Sequence, residues 1–281
     1  MRLIHDGKNL VNIFNSFTAS LDVFCVLEDL KPVCQLILKD SEIKTVKDFC
    51  EKKGLFMEMG SYKILRSFDT GKGCFSNLGI RVPLSFPEGE WIVYISKDIK
   101  RLKDAKKHEL DHKELGLILG YPECCADFFV RTFNHAKGKQ MDFIIPSVDS
   151  FGPHPFQNNY MLRYFDISLI DHFPCSPKCK ESLKLGRRNL LRIKKHDKEA
   201  AGMLFHELRS LVIYTEYNGV FYTRKWSVKD RTINFSDLHS TIDNRLYRKL
   251  LAHKKITLKN FNDFMVEDER FRSDAVVVAF E

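Results

Sequence analysis

Four cysteines stand in two short motifs, Leu-Gly-Tyr-Pro-Glu-Cys-Cys (119–125) and His-Phe-Pro-Cys-Ser-Pro-Lys-Cys (172–179). Thiols so grouped bind soft metals or attack electrophiles and disulfides. Proline suits a first helical position, so Pro122 and Pro177 each mark a helix start. Cys124 and Cys125 then fall in one first turn. Cys175 falls just outside the second helix, and Cys179 falls in its first turn. A helix start offers free N–H groups and partial positive charge, which favour thiolate. Neither motif completes a site alone. The spacing therefore predicts that they meet, with Cys124, Cys125, Cys175 and Cys179 as metal ligands. His172, three residues before Cys175, is the first auxiliary ligand or proton donor, and His112 is the second. Cys124, His112 and His172 are the residues expected to act if the centre does chemistry.

Successive helical residues point about 100° apart, so Cys124 and Cys125 are hard to aim at a single ion. The separate irons of an iron–sulfur cluster suit neighbouring cysteines better, which places iron–sulfur ahead of zinc. For zinc, Cys125 would instead join an apolar stripe with Phe128, Phe129 and Phe133. Cys124, Cys175, Cys179 and a histidine would then remain as ligands. A third reading needs no metal. Cys124 or Cys125 would be a nucleophile and Cys175 or Cys179 a resolving thiol, with Asp127, Asp171, Asn158 and Asn159 nearby. His108-Glu-Leu-Asp-His112 matches the letters of a His-Glu-x-x-His zinc site, with Glu109 as base. It leaves both cysteine motifs unexplained and has no third ligand, so it ranks far behind.

The elements that must position these residues read as an α+β fold. Residues 1–98 form a mixed α/β region. Residues 99–281 form a cysteine-motif metal-binding domain with a helical middle and a β-rich C-terminal part. Ser41 to Lys53 is an amphipathic helix closed by Gly54, and 55–59, 62–65 and 91–95 read as strands. Residues 98–119 read as one charged helix closed by Gly120, which puts His108 and His112 on one face. Helices follow at 122–135, 158–164 and 177–195, with a loop-rich stretch at 136–157 and a strand at 167–170. Asn218-Gly219 between two β-patterned runs signals a hairpin. A helix at 242–253 and a strand at 275–280 close the chain. Gly71-Lys72-Gly73, in the loop 69–74, lacks the rest of a phosphate-loop pattern.

The 281 residues carry a net charge of +8 with 44% hydrophobic content, and no apolar run approaches bilayer length. The first residues lack an apolar signal core, so a cytoplasmic protein is expected. That compartment is reducing, which disfavours disulfides; Cys25 and Cys50 read as core thiols. Lys97, Lys100, Arg101, Lys103, Lys106 and Lys107 precede the first motif. Lys178, Lys180, Lys184, Arg187, Arg188, Arg192, Lys194 and Lys195 overlap or follow the second. These runs are either solvated helix faces or a basic rim for an anionic partner. In the second case Arg187 and Arg188 would hold the substrate, with RNA or a phosphate-bearing metabolite expected.

Leu-Gly-Tyr-Pro-Glu-Cys-Cys followed by Phe128-Phe129, and His-Phe-Pro-Cys-Ser-Pro-Lys-Cys followed by Ser182-Leu183, resemble an uncharacterised archaeal and bacterial family, domain of unknown function 483. The resemblance covers about residues 108–225 and implies no activity. More distantly, a vicinal cysteine pair followed by a spaced pair is similar to the ligands of heterodisulfide reductase subunits and of one epoxyqueuosine reductase family. That likeness implies a 4Fe-4S cluster, although Cys175 and Cys179 enclose three residues where those proteins enclose two. The leading expectation is an iron–sulfur enzyme doing redox or sulfur-transfer chemistry on an anionic substrate, RNA first. A zinc-stabilised RNA-binding module without catalysis is the alternative, and a metal-free thiol-relay sulfurtransferase is the third.

Overall fold

The structure is a computed structural model that describes residues 1–67, 79–137 and 141–281, so the loop at 69–74 lies outside the described residues. A short hairpin of β1 (Ile4–His5) and β2 (Lys8–Asn9) leads into α1 (Val11–Phe14) and α2 (Phe17–Leu27). Ser16 caps α2 by accepting the Ala19 N–H. The Asp166 carboxylate, brought from far along the chain, accepts the Thr18 and Phe17 N–H groups at the same end. There follow β3 (Cys34–Leu38), α3 (Asp40–Lys53), β4 (Phe56–Arg66), β5 (Gly79–Val82) and β6 (Glu90–Ser96). The four longer strands make one antiparallel sheet in the order β3-β6-β4-β5. α3 buries Val46, Phe49 and Cys50 and ends at Gly54 with φ +66°, as the sequence pattern requires.

The strands expected at 55–59 and 62–65 are a single strand, β4, with a bulge between Met59 and Lys63. The same bulge explains a second correction. Residues 98–119 form two helices, α4 (Ile99–Lys107) and α5 (His112–Ile118). Between them Glu109 turns inward, is buried, and accepts the Ser61 N–H of the bulge at 3.1 Å. Asp111 then caps α5 through the N–H groups of Lys113 and Glu114. His108 closes one helix and His112 opens the next, so they are not an i, i+4 pair. Leu102, Ala105, Leu115 and Leu119 of this helical pair pack on Val33, Ile92 and Tyr94 of the N-terminal sheet region.

Gly120 has φ +83°, and a Cβ there would meet Pro32 at 2.9 Å; it turns the chain into α6 (Glu123–Lys137). The segment expected to be helical at 158–164 is two 3₁₀ turns, Phe156–Asn158 and Tyr160–Phe165. The strand expected at 167–170 is irregular: Ile167, Leu169 and Ile170 are buried, but no strand among the described residues pairs with them. α7 (Lys180–His196) begins three residues later than Pro177 suggested, with Cys179 as its cap, and α8 (Lys198–Leu208) follows. α7 buries Ser182, Gly186, Asn189 and Ile193 at helical spacing.

The C-terminal part comprises β7 (Leu211–Thr215), β8 (Val220–Thr223), β9 (Trp226–Lys229), β10 (Thr232–Phe235), β11 (Leu238–Ser240), α9 (Arg245–His253), β12 (Lys255–Asn260), β13 (Asp263–Val266), β14 (Glu269–Arg272) and β15 (Ala275–Ala279). These strands form two antiparallel sheets, β11-β8-β7-β15 and β14-β13-β12-β10-β9. The Asn218-Gly219 hairpin joins β7 to β8 as expected. β7 and β15 are buried on both faces. Val212, Tyr214, Val276 and Val278 face the main core with α2 and α8, while Leu211, Ile213, Ala275 and Val277 face the other sheet. The fold is α+β. Among the described residues no helix is long and apolar enough to cross a membrane.

Candidate metal centre

The first turn of α6 and the cap of α7 meet. Pro122 starts the former: its carbonyl accepts the N–H groups of Cys125 and Ala126. The second motif is an irregular loop pinned from behind by Asn158. This fully buried amide donates to the carbonyls of Pro177 at 3.1 Å and Cys179 at 3.0 Å. The Sγ atoms of Cys124, Cys125, Cys175 and Cys179 all lie within 4.8 Å of one another. Cys124–Cys125 is 3.8 Å, Cys124–Cys179 is 3.7 Å and Cys125–Cys179 is 3.6 Å. The Cys175 N–H also points at Cys125 Sγ, 3.4 Å away. Cys124 is exposed, Cys125 and Cys179 are buried, and Cys175 lies between.

Adjacent cysteines therefore do face one centre, against the expectation drawn from the helical angle. At a first turn no preceding turn crowds χ1, so rotamers that are costly mid-helix are open and both sulfurs swing to the same side. Cys125 also keeps its place in the apolar stripe: it is buried with Phe128.

The electrostatics of the four thiols call for a cation. Cys179 is pulled down to about 4 by the hydrogen bond from the Cys125 thiol and by the Ser182 hydroxyl and N–H. Cys125 is pushed far up because it donates to Cys179 and is buried. Burial and the neighbouring Cys179 push Cys175 up to about 12. Burial and the same neighbour raise Cys124. Alone, the group holds one thiolate and three thiols at neutral pH. Ionising the rest demands positive charge among them.

His172 is not brought into the thiol group. Its Nε2 lies 2.7 Å from Ser182 Oγ, which in turn lies 3.3 Å from Cys125 Sγ. Burial drives its pKa down to about 4, so the ring is neutral. It orients a hydroxyl beside the thiols, and the Tyr121 ring lies 5.3 Å away. His112 packs against Phe133 at 4.4 Å and Phe129 at 5.5 Å, outside the thiol group. Glu109 and its two flanking histidines serve the β4 bulge. Arg187 is exposed on α7, while Arg188 donates to the Leu30 carbonyl. Asp127 pairs with Lys113 at 2.7 Å, and Asn159 donates to the Leu208 carbonyl. Ser182 was the residue missed. Its only sequence signal is a position three residues after Cys179, on the same helical face.

His5, Glu28 and His196 also converge. Their geometry does not suit an ion. The two imidazoles are stacked, 5.0 Å apart and 19° from parallel, so their planes do not meet at a common point. Arg192 already neutralises Glu28 at 2.8 Å. The trio staples the N-terminal hairpin to α2 and α7. No family model, no curated protein and no solved structure matches this chain.

Proposed function

We propose that Cys124, Cys125, Cys175 and Cys179 hold one zinc ion in a tetrahedral, all-thiolate site, and that this centre organises the fold. One observation carries the reading: the sulfur separations of 3.6, 3.7 and 3.8 Å. Four sulfurs at about 2.3 Å from a tetrahedral ion stand about 3.8 Å apart. In an iron–sulfur cluster each cysteine ligates a different iron, which spreads the sulfurs further. The preference thus moves from cluster to single ion. Four protein ligands also close the shell, leaving no position for substrate. The centre then locks two distant loops together and leaves catalysis to other residues.

Anaerobic purification with metal and sulfide analysis tests this. One zinc per chain, no sulfide and no colour are expected. A single iron would keep the tetrahedron and add redox activity. A brown protein with sulfide would return the reading to an iron–sulfur enzyme, and a metal-free protein would leave the thiol relay.

A second reading rests on α7, which leaves the centre with Lys180, Lys184, Arg187, Arg188, Lys194 and Lys195 exposed. This basic face suits an anionic polymer, RNA first. Arg187→Ala with Arg188→Ala is expected to weaken RNA binding and flatten its salt dependence, with metal content unchanged. No measurable RNA affinity at low salt removes the partner.

A further inference from the structure

Behind the thiol centre, the same two motifs wall a cleft of about 570 Å³. Its walls include Asp22 of α2, Tyr121 of the first motif, Arg163, and Asp171 and Phe173 around the second. The buried Lys31 ammonium sits between Asp22 Oδ1, at 3.2 Å, and Asp171 Oδ2. It also lies 5.1 Å over the Tyr121 ring. Asp171 is further held by a hydrogen bond from Tyr121. Asp22 Oδ2 is the carboxyl oxygen outside the grip of Lys31, and the Asp22 side chain keeps 14% of its surface exposed.

Two features separate this cluster from a structural ion pair. Buried charges seldom repay their desolvation, and an apolar set would hold the same wall at no loss. Here the cluster borders a cavity of a size that accepts small molecules. The local charge also opposes the whole. Among the described lining residues Asp22, Glu42, Glu90, Asp166 and Asp171 face only Lys39, Arg66 and Arg163, in a chain of net charge +8. Most of these charges are occupied. Arg66 pairs with Glu90, Asp166 caps α2, and Glu42 accepts the Lys39 N–H at 2.8 Å. Asp22 is the acid left to serve a ligand. Burial, reinforced by Asp171, pushes its pKa up to about 7.

We propose that this cleft binds a small molecule bearing a protonated amine on a flat apolar body. The amine meets Asp22, and the body rests on Phe14, Ala19, Leu21 and Ile170, which line the same cavity. An amine is matched to a single reachable carboxyl in an acid-lined cleft, whereas a carboxylate or phosphate would meet like charge. This goes beyond the zinc reading and holds whichever ion fills the thiol centre, because the readout is probe binding, with metal content followed separately.

The test titrates the metal-loaded full chain with benzylamine, benzyl alcohol and benzoate, three probes of similar shape, by NMR or calorimetry. Benzylamine is expected to bind with a Kd in the millimolar range, benzyl alcohol about tenfold more weakly, and benzoate not at all. Asp22→Asn should weaken benzylamine about tenfold, the loss of one charge-assisted contact. Ala19→Leu fills the cleft without touching a charge and should abolish binding of both amine and alcohol. It also decides the matter if Asp22→Asn does not fold. Absence of benzylamine binding, benzoate binding as tight as benzylamine, or undiminished binding in Ala19→Leu would overturn the proposal.

Discussion

Cys179 is the pivot of the site. It lies within 3.7 Å of both Cys124 and Cys125, caps α7, and is the thiol held as thiolate. From sequence, Cys125 reads as the most dispensable ligand because its stripe offers it a core role. Its sulfur is instead 3.6 Å from Cys179 and accepts the Cys175 N–H. Alanine at any of the four positions is therefore expected to cut metal to a small fraction of one per chain, Cys125→Ala included. Full metal retained in Cys125→Ala would return it to a packing role. Ser182→Ala should behave differently. It strands the buried His172 Nε2 and should lower stability by about 1–3 kcal/mol, with metal retained. The cysteines were legible because prolines mark their helix starts. Ser182 was not, because a lone hydroxyl carries no motif. Asp22 gives a pH signature. Its folded value of about 7 stands above its usual 3.8. The folded state then binds more protons across that window, so stability falls as pH rises from about 4 to about 7. Asp22→Asn should remove that decline in denaturation measured across the window; an unchanged pH slope would contradict it.

At the scale of elements, periodicity found what local pattern determines and missed what distant contacts impose. α3, α6 and the β7–β8 hairpin followed their stripes, caps and turn residues. The helix expected over 98–119 broke because Glu109 serves a bulge in β4, nearly fifty positions earlier in the chain. The apolar run at 167–170 found no strand edge, and the Asn189 amide takes the Leu169 carbonyl instead. α7 is seated by Gly186, where a Cβ would come within 2.7 Å of the Gln157 carbonyl oxygen. In an unconstrained helix, glycine to alanine stabilises by roughly 0.5–1 kcal/mol. Here Gly186→Ala should instead destabilise by about 1–3 kcal/mol, the range for overpacking. Asn158 follows Gln157 and pins the Cys179 carbonyl, so metal affinity should fall as well. Thermal denaturation and a chelator competition check both signs; a stabilised variant would show that α7 is not locked at that point.

The whole molecule spreads its charges and its core differently. The main core runs from α2 and β3 through the 3₁₀ segment to α8, β7 and β15, so both ends of the chain share it. The α+β class, the helical middle and the β-rich end were all visible in the pattern of elements. The second C-terminal sheet was less so, because β9, β12 and β14 expose most of their residues and lack a clean apolar alternation. The thiol centre adds a link that the core does not supply. It ties the loop before α6 to the loop before α7, the two loops that wall the cleft. Metal binding energy is then folding energy for that region. Stripping the ion with excess chelator under reducing conditions should cost several kcal/mol, hence lower Tm by on the order of 10 °C for a chain of this size. The loss should be local. In hydrogen exchange, amides of 119–126 and 172–186 should lose protection first, while β7 and β15, buried on both faces, should keep theirs until global unfolding. Uniform loss of protection along the chain would make the ion part of one cooperative unit. An unchanged Tm would show that the four thiols hold the loops together without it.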